Sequence, residues 1–337
     1  MLHAGDDGGW STWERVSPSG EAPPARAAAS CCAAGETVVC FGGLSSSLGF
    51  LDDCWLLDMR IMRWERVAPA EGENAAWPAA RDKAALVASA DGSKVVLLGG
   101  FGPKESEYGD DLPEDDEFDG DDDDGEEDDS EQQRPSTEFG WFDCETLYVL
   151  DLVSKQWNLV PAKGKVPSAR AAHSSCAVRG GREVVLFGGR DESGRQGDVF
   201  TLDVATMEWA QRCEGAPGPA PRSFHAMAAV PLPGAEGESA VFVLGGVDRD
   251  NGPCKGMQVL STKTWVWNEC QLQGPFPDAR VSMAAAATGG ALLAFGGRAG
   301  EGAATNEGYK LDLTAAAKAL ASAPAQAPAQ AGQQAAS

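Results

Sequence analysis

The chain has 337 residues, 43% of them hydrophobic, and a formal net charge of −24, which is enough for one large core or two small ones. It lacks the run of about 18 apolar residues that a membrane helix needs and, over its first residues, the basic and apolar regions of a secretory leader, so neither a membrane association nor secretion is expected. A net negative chain without a basic stripe is a poor match for nucleic acid, and nine scattered cysteines without paired C-x-x-C motifs support neither a zinc site nor a disulfide framework, which fits a reducing cytosol or nucleus.

Taken in order, residues 1–9 read as an extension, and Trp10, Trp13 and Val16 as a lone strand ahead of the turn at Pro23-Pro24. From Arg26 onward one series of elements recurs. Its clearest copy runs from Arg170 to Trp209. It contains a small-residue strand (Ala171 to Val178), a turn at Gly180-Gly181, and an apolar run (Val184 to Phe187) ending in Gly188-Gly189. After a polar loop come the alternating run Val199 to Asp203 and then Trp209. Each run is too short for a helix and each break carries turn chemistry, so the unit reads as a four-stranded antiparallel meander, strands a to d. Such a sheet needs neighbours of its own kind to cover both faces.

Paired glycines end an apolar run at Gly42-Gly43, Gly99-Gly100, Gly188-Gly189, Gly245-Gly246 and Gly296-Gly297. Leu-Asp or Leu-Ser pairs follow at Leu57-Asp58, Leu150-Asp151, Leu202-Asp203, Leu260-Ser261 and Leu311-Asp312. In the first four, a tryptophan stands six positions later: Trp64, Trp157, Trp209 and Trp267. The fifth unit has none, yet Trp13 precedes Arg26 by the same 13 residues that separate Trp157 from Arg170. The missing fourth strand is therefore expected at the N-terminus. The a-strands are built from Ala, Ser and Cys, which suits strands crowded around an axis, and the b-strands are continuously apolar, which suits strands covered on both faces.

This pattern resembles the kelch repeat, whose marks are the glycine pair, the tryptophan at fixed distance and a unit of about 50 residues. The resemblance implies an all-β kelch-type β-propeller over residues 10–313, with five four-stranded blades and the last blade closed by the N-terminal d-strand. Ser261 departs from the Asp of the other c-strands, and five blades is fewer than the six the family leads one to expect. Residues 314–337 read as an Ala/Gln/Pro-rich disordered tail, with a short helix from Thr314 to Ser322.

The b-c loop of the second unit holds an acidic insert, residues 104–140. From Glu105 to Glu138 there are 19 Asp or Glu and one Arg, a net of −18 that leaves −6 for the rest of the chain. Such a block cannot offset chain entropy by burial and is expected to be disordered. Its densest part, Asp115, Asp116, Asp121, Asp122, Asp123, Asp124, Glu126 and Glu127, reads either as a solvated expansion or as an interaction segment for a basic protein partner. It does not match a calcium loop.

In a meander the d-a and b-c loops emerge on one face. The d-a loops end in Arg26, Arg81, Arg170, Arg222 and Arg280. These arginines read either as a partner-binding ring around the channel mouth, shielded by the insert, or as structural residues bonding loop carbonyls. His173 and His225, three residues after Arg170 and Arg222, read as structural. With three histidines, three tyrosines and no nucleophile elbow, no catalytic residues, metal or cofactor are expected.

The function expected is a monomeric, non-catalytic protein-interaction module acting through the d-a/b-c face. Two alternatives stand beside it. One is a recruiting subunit of a ubiquitin ligase acting in trans, since no BTB or F-box segment precedes Trp10. The other is a small-molecule or metal-dependent enzyme using the central channel.

Overall fold

The structure is a computed structural model describing residues 2–4, 10–13, 15–72, 75–104, 138–270, 279–288, 290–299 and 302–322. Four sheets with antiparallel strands in a-b-c-d order, Ser30–Ala34 to Arg63–Val67, Ala85–Ala88 to Gln156–Pro161, Ser174–Val178 to Glu208–Arg212, and Ala226–Pro231 to Val266–Glu269, form blades 1 to 4, and Lys163–Gly164 adds a parallel outer strand to the third. Blade 5 has three strands, Ala284–Thr288, Ala291–Phe295 and Gly308–Asp312. The fold is a five-bladed, all-β propeller arrangement.

The invariant six-residue step to tryptophan is the register of the c-d hairpin. Leu57, Leu150, Leu202 and Leu260 lie directly opposite Trp64, Trp157, Trp209 and Trp267. In the first three the Asp after the leucine closes the turn: Asp203 accepts from the backbone N–H groups of Ala205 and Thr206, as Asp58 and Asp151 accept in their own turns.

Continuously apolar b-strands follow from burial on both sides. In blade 2, Val95 and Leu97 pack toward blade 1 while Val96 and Leu98 pack toward blade 3. Further apolar clusters join blades 3 and 4 and blades 4 and 5. Among the described residues, none joins blade 5 to blade 1.

At each of the four steps from blade 1 to blade 5, consecutive blades are also joined by two backbone hydrogen bonds. The second glycine of one blade donates to the carbonyl of the arginine opening the next: Gly43 to Arg81, Gly100 to Arg170, Gly189 to Arg222 and Gly246 to Arg280, at 2.8–2.9 Å. Two residues after each arginine, Lys83 donates to Ala28, Ala172 to Lys83, Phe224 to Ala172 and Ser282 to Phe224. All five residues of this inner chain have positive φ, between 53° and 59° for the four apart from Lys83 at 52°, although none is glycine.

The expected closing strand is a correction. Trp10–Trp13 pairs with Leu2–Ala4 in a separate two-stranded sheet, and blade 5 carries no fourth strand among the described residues. The 13-residue spacing from Trp13 to Arg26 therefore does not translate into pairing with Gly308–Asp312; the nearer strand satisfies the backbone groups of 10–13 instead.

One boundary also shifts. Phe139–Trp141 pairs with Phe101–Pro103, so residues 139 and 140 belong to an extended b-c hairpin and not to the insert. Thr314–Ser322 is the short helix expected from the sequence, and it buries Ala317 and Leu320 in the cluster between blades 4 and 5. The acidic residues Asp115 to Glu127 and the tail from 323 onward lie outside the described residues. No helix among those described is long and apolar enough to cross a membrane.

Gly188 has φ of 65°, and a Cβ there would stand 2.6 Å from the Arg222 carbonyl oxygen. Gly35, at φ 58°, has open space around it. Gly188→Ala is expected to cost at least about 2 kcal/mol in urea unfolding, and Gly35→Ala only about 1 kcal/mol, because the second substitution meets backbone strain without a clash.

Candidate functional site

Five arginines open the a-strands, and their guanidinium groups turn inward. Nε of Arg26, Arg81, Arg170 and Arg222 donates to the carbonyl two residues back, at 3.0–3.1 Å. Nη1 of all five donates to the carbonyl of the first glycine in the same blade: Gly42, Gly99, Gly188, Gly245 and Gly296. Arg81, Arg170, Arg222 and Arg280 are buried, Arg170 to 1% exposure. The arginines thus tie the d-a loop to the b-strand end within each blade.

Their counter-charges alternate around the ring. Arg26 pairs with Asp53, Arg170 with Asp198 at 2.6 Å, and Arg280 with Glu307. Burial raises the Asp53 carboxyl, but hydrogen bonds from Arg26 and Trp55 outweigh it and hold the group below the usual carboxylate range. Among the described residues, blades 2 and 4 carry no such acid. Arg81 lies over the Phe142 ring, 3.6 Å from its centroid, and burial lowers its pKa to about 10. Burial likewise lowers that of Arg222.

Sequence reading does not single out the cations that reach the surface of this face. Arg190 and Arg195 lie opposite one another in the b-c hairpin of blade 3, directly after its glycine pair. Arg195 Nε donates to Ser223 Oγ of blade 4 at 3.0 Å, and Arg249, from the b-c loop of blade 4, donates to the Arg195 carbonyl at 3.1 Å. Arg190 and Arg249 are exposed, Arg195 half-buried. None of the three forms an ion pair within 4.0 Å among the described residues. Their signal in the sequence is a charged residue in a b-c loop, which the eye passes over because it does not recur in every unit.

The a-b turns of blades 1 to 3 lie at the other edge of the sheets, and among the cysteines there a hydrogen bond with Cys40 lowers the pKa of the exposed Cys31. A cavity of about 540 Å³ there is lined by a-b turns and small side chains, including Cys32, Ala88, Asp91, Cys176 and Gly180. Burial raises the Cys32 and Cys176 thiols to about 12, so both stay protonated and weakly nucleophilic at neutral pH. His173 and His225 are buried, and desolvation, aided by the charge of Arg170 and Arg222 respectively, lowers each pKa to about 3.

Comparison with known proteins agrees with this geometry. The family description "KLHDC2/KLHL20/DRC7 Kelch-repeats domain" matches residues 133–232. The chain carries kelch repeats. It is 27% identical over 260 residues to Kelch domain-containing protein 2 of Bos taurus, covering 75% of this chain and 57% of that one. Kelch domain-containing protein 3 of Homo sapiens is 29% identical over 164 residues, 46% of this chain and 41% of its own length. Acyl-CoA-binding domain-containing protein 4 of Arabidopsis thaliana is 33% identical over 156 residues, 45% of this chain and 22% of its own. The kelch match thus spans about two-fifths to three-fifths of the first two relatives.

Two outcomes test the structural roles. Arg170→Ala leaves Asp198 and the Gly188 carbonyl without their donor and is expected to cost about 3–5 kcal/mol in chemical unfolding, whereas Arg195→Gln stays within about 0.5 kcal/mol. Between pH 6.5 and 3 the unfolded chain binds protons at His173 and His225 that the folded chain excludes, so stability falls as pH falls through this window. Unfolding at pH 7 and pH 4.5 should differ by on the order of 2 kcal/mol per imidazole, a difference that the double variant His173→Gln, His225→Gln removes.

Proposed function

We infer that this kelch-repeat chain is a non-catalytic protein-interaction module that engages its partner on the face bearing the d-a and b-c loops. The observation that carries this reading is the group Arg190, Arg195 and Arg249, three cations from two neighbouring blades with no ion-pair partner among the described residues. An acidic segment of a protein partner satisfies them: each charge-assisted hydrogen bond adds about 1.5–3 kcal/mol, and the backbone bonds that already fix the hairpins reduce the ordering cost. The five inward-turned arginines support the loops from beneath and make no contact of their own in this reading.

A second reading concerns the acidic insert. It leaves the chain between Lys104 and Glu138, at the end of a b-c hairpin of this same face. With a net charge of −18 from Glu105 to Glu138, it either shields the exposed arginines or recruits a basic partner. The two are separable by charge.

A fluorescein-labelled hexaglutamate peptide is expected to bind the chain at low salt and to lose at least tenfold in affinity with Arg195→Gln, Arg249→Gln. Equal binding to the variant would overturn the arginine reading. Deleting residues 105–137 should tighten hexaglutamate binding if the insert shields the arginines; if it recruits, deletion should abolish salt-sensitive binding of hexalysine.

A further inference from the structure

On the same b-c loop face, the hairpins of blades 1 and 2 carry a joined aromatic cluster in which Phe139 is exposed and Phe50, Phe101 and Trp141 are half-buried. Phe50 lies opposite Leu44 in the blade 1 hairpin, and Phe101 opposite Trp141 in that of blade 2, with Phe139 two residues before Trp141 on the same strand face. Ring centroids stand 5.7 Å apart for Phe50 and Phe139, 6.3 Å for Phe50 and Phe101, and 5.6 Å for Phe101 and Trp141. The two hairpins thus share one apolar surface although they belong to different blades. It is not buried: Phe139 is 55% exposed, Leu48 at the hairpin turn 61%, and Leu44 39%. An exposed apolar patch of joined aromatic side chains is the composition of the centre of a protein interface, where such rings bring large contact area at little entropic cost.

The geometry points to Leu44, Leu48, Phe50, Phe101, Phe139 and Trp141 as a docking surface for a protein segment that presents an apolar anchor flanked by basic residues. The charge of the surroundings selects that partner. Asp52, two residues from Phe50, and Glu138, next to Phe139, are exposed acids at the rim. Two described lysines border the patch: Lys83, with its ammonium 5.9 Å from the Phe101 centroid, is already paired with Asp82 at 2.5 Å, and Lys104 lies along Gly140 beside the acid Glu138. The acidic segment with its net charge of −18 leaves this hairpin at Lys104 and returns at Glu138, so both of its ends are tethered beside the patch and bias the charge there toward negative. A basic segment is attracted, and an acidic one with the same anchor is turned away. The inference shares its face with the proposed arginine contact but rests on different residues.

The test uses the full chain and three labelled peptides of equal length. One carries Trp and Leu between pairs of Lys, one replaces Trp and Leu by Ser, and one replaces the Lys by Glu. The first is expected to bind, with amide shifts at Leu48 and Phe139 in NMR spectra, and the other two to bind at least tenfold more weakly. The variant Leu48→Ser, Phe139→Ser should lose at least tenfold toward the first peptide while keeping its thermal midpoint, since both side chains are exposed. Arg195→Gln should leave that affinity unchanged, which separates failure here from failure of the arginine contact. Equal affinity of the variant and the parent, equal affinity for the Ser peptide, or undetectable binding of the first peptide would each overturn the assignment.

Discussion

A single joint holds the blades in order. The carbonyls of Arg81, Arg170, Arg222 and Arg280 each accept a hydrogen bond from the second glycine of the preceding blade, while each guanidinium reaches the first glycine of its own. One residue therefore serves two blades, through backbone in one direction and side chain in the other. The glycines carry positive φ, and the first leaves no room for a Cβ against the neighbouring carbonyl. Hydrophobic clusters between blades supply the non-directional part of the stability, but they would tolerate sliding; directional bonds at fixed repeat positions do not. The second chain of bonds, from Ala28 through Lys83, Ala172 and Phe224 to Ser282, holds strained, positive-φ residues in place because each after Ala28 is locked by a bond to the blade before it.

The joint also explains what was legible in the chain. Gly-Gly, Leu-Asp and Trp landmarks report hydrogen-bond register and turn chemistry, which are local and repeat wherever a blade repeats, so strand order and blade boundaries follow from their spacing. The arginine positions were equally visible, but two roles fitted them, because spacing places a residue without saying which way its side chain turns. Burial and carbonyl acceptors decide for an inward role. The N-terminal strand shows the opposite failure: the spacing of Trp13 to Arg26 matches the other units, while the backbone of Trp10–Trp13 pairs with Leu2–Ala4. A matching interval expresses a local chain length, and closure requires a contact between distant parts of the chain, which no interval encodes.

Arg190, Arg195 and Arg249 and the aromatic hairpins were hidden for the same reason in reverse. They do not recur, so a reading built on repetition treats them as loop filler. Yet the repeat is what makes them usable: b-c loops start from glycines pinned to the next blade and can vary in length and sequence without moving the sheet. Blade 2 extends its loop into a paired hairpin with Phe101 and Trp141, whereas blade 3 keeps a two-pair hairpin with Arg190 and Arg195.

On the proposed readings, these unlike halves give the face a polarity. Beyond Glu105 to Glu138 the chain is only mildly acidic, at −6, so its field is set by where charges sit and not by their total. Negative charge is tethered at blade 2, and unpaired positive charge stands on blades 3 and 4. A partner segment with a basic end and an acidic end would be turned by this field before any contact forms, because the reversed orientation sets like charges together at both ends. Surface charges more than about 8 Å apart are largely screened at physiological salt, so the steering acts only in the last stage of approach. Residence then depends on the aromatic anchors, whose contribution salt barely changes. Ionic strength would thus alter how fast and in which direction such a segment binds more than how long it stays.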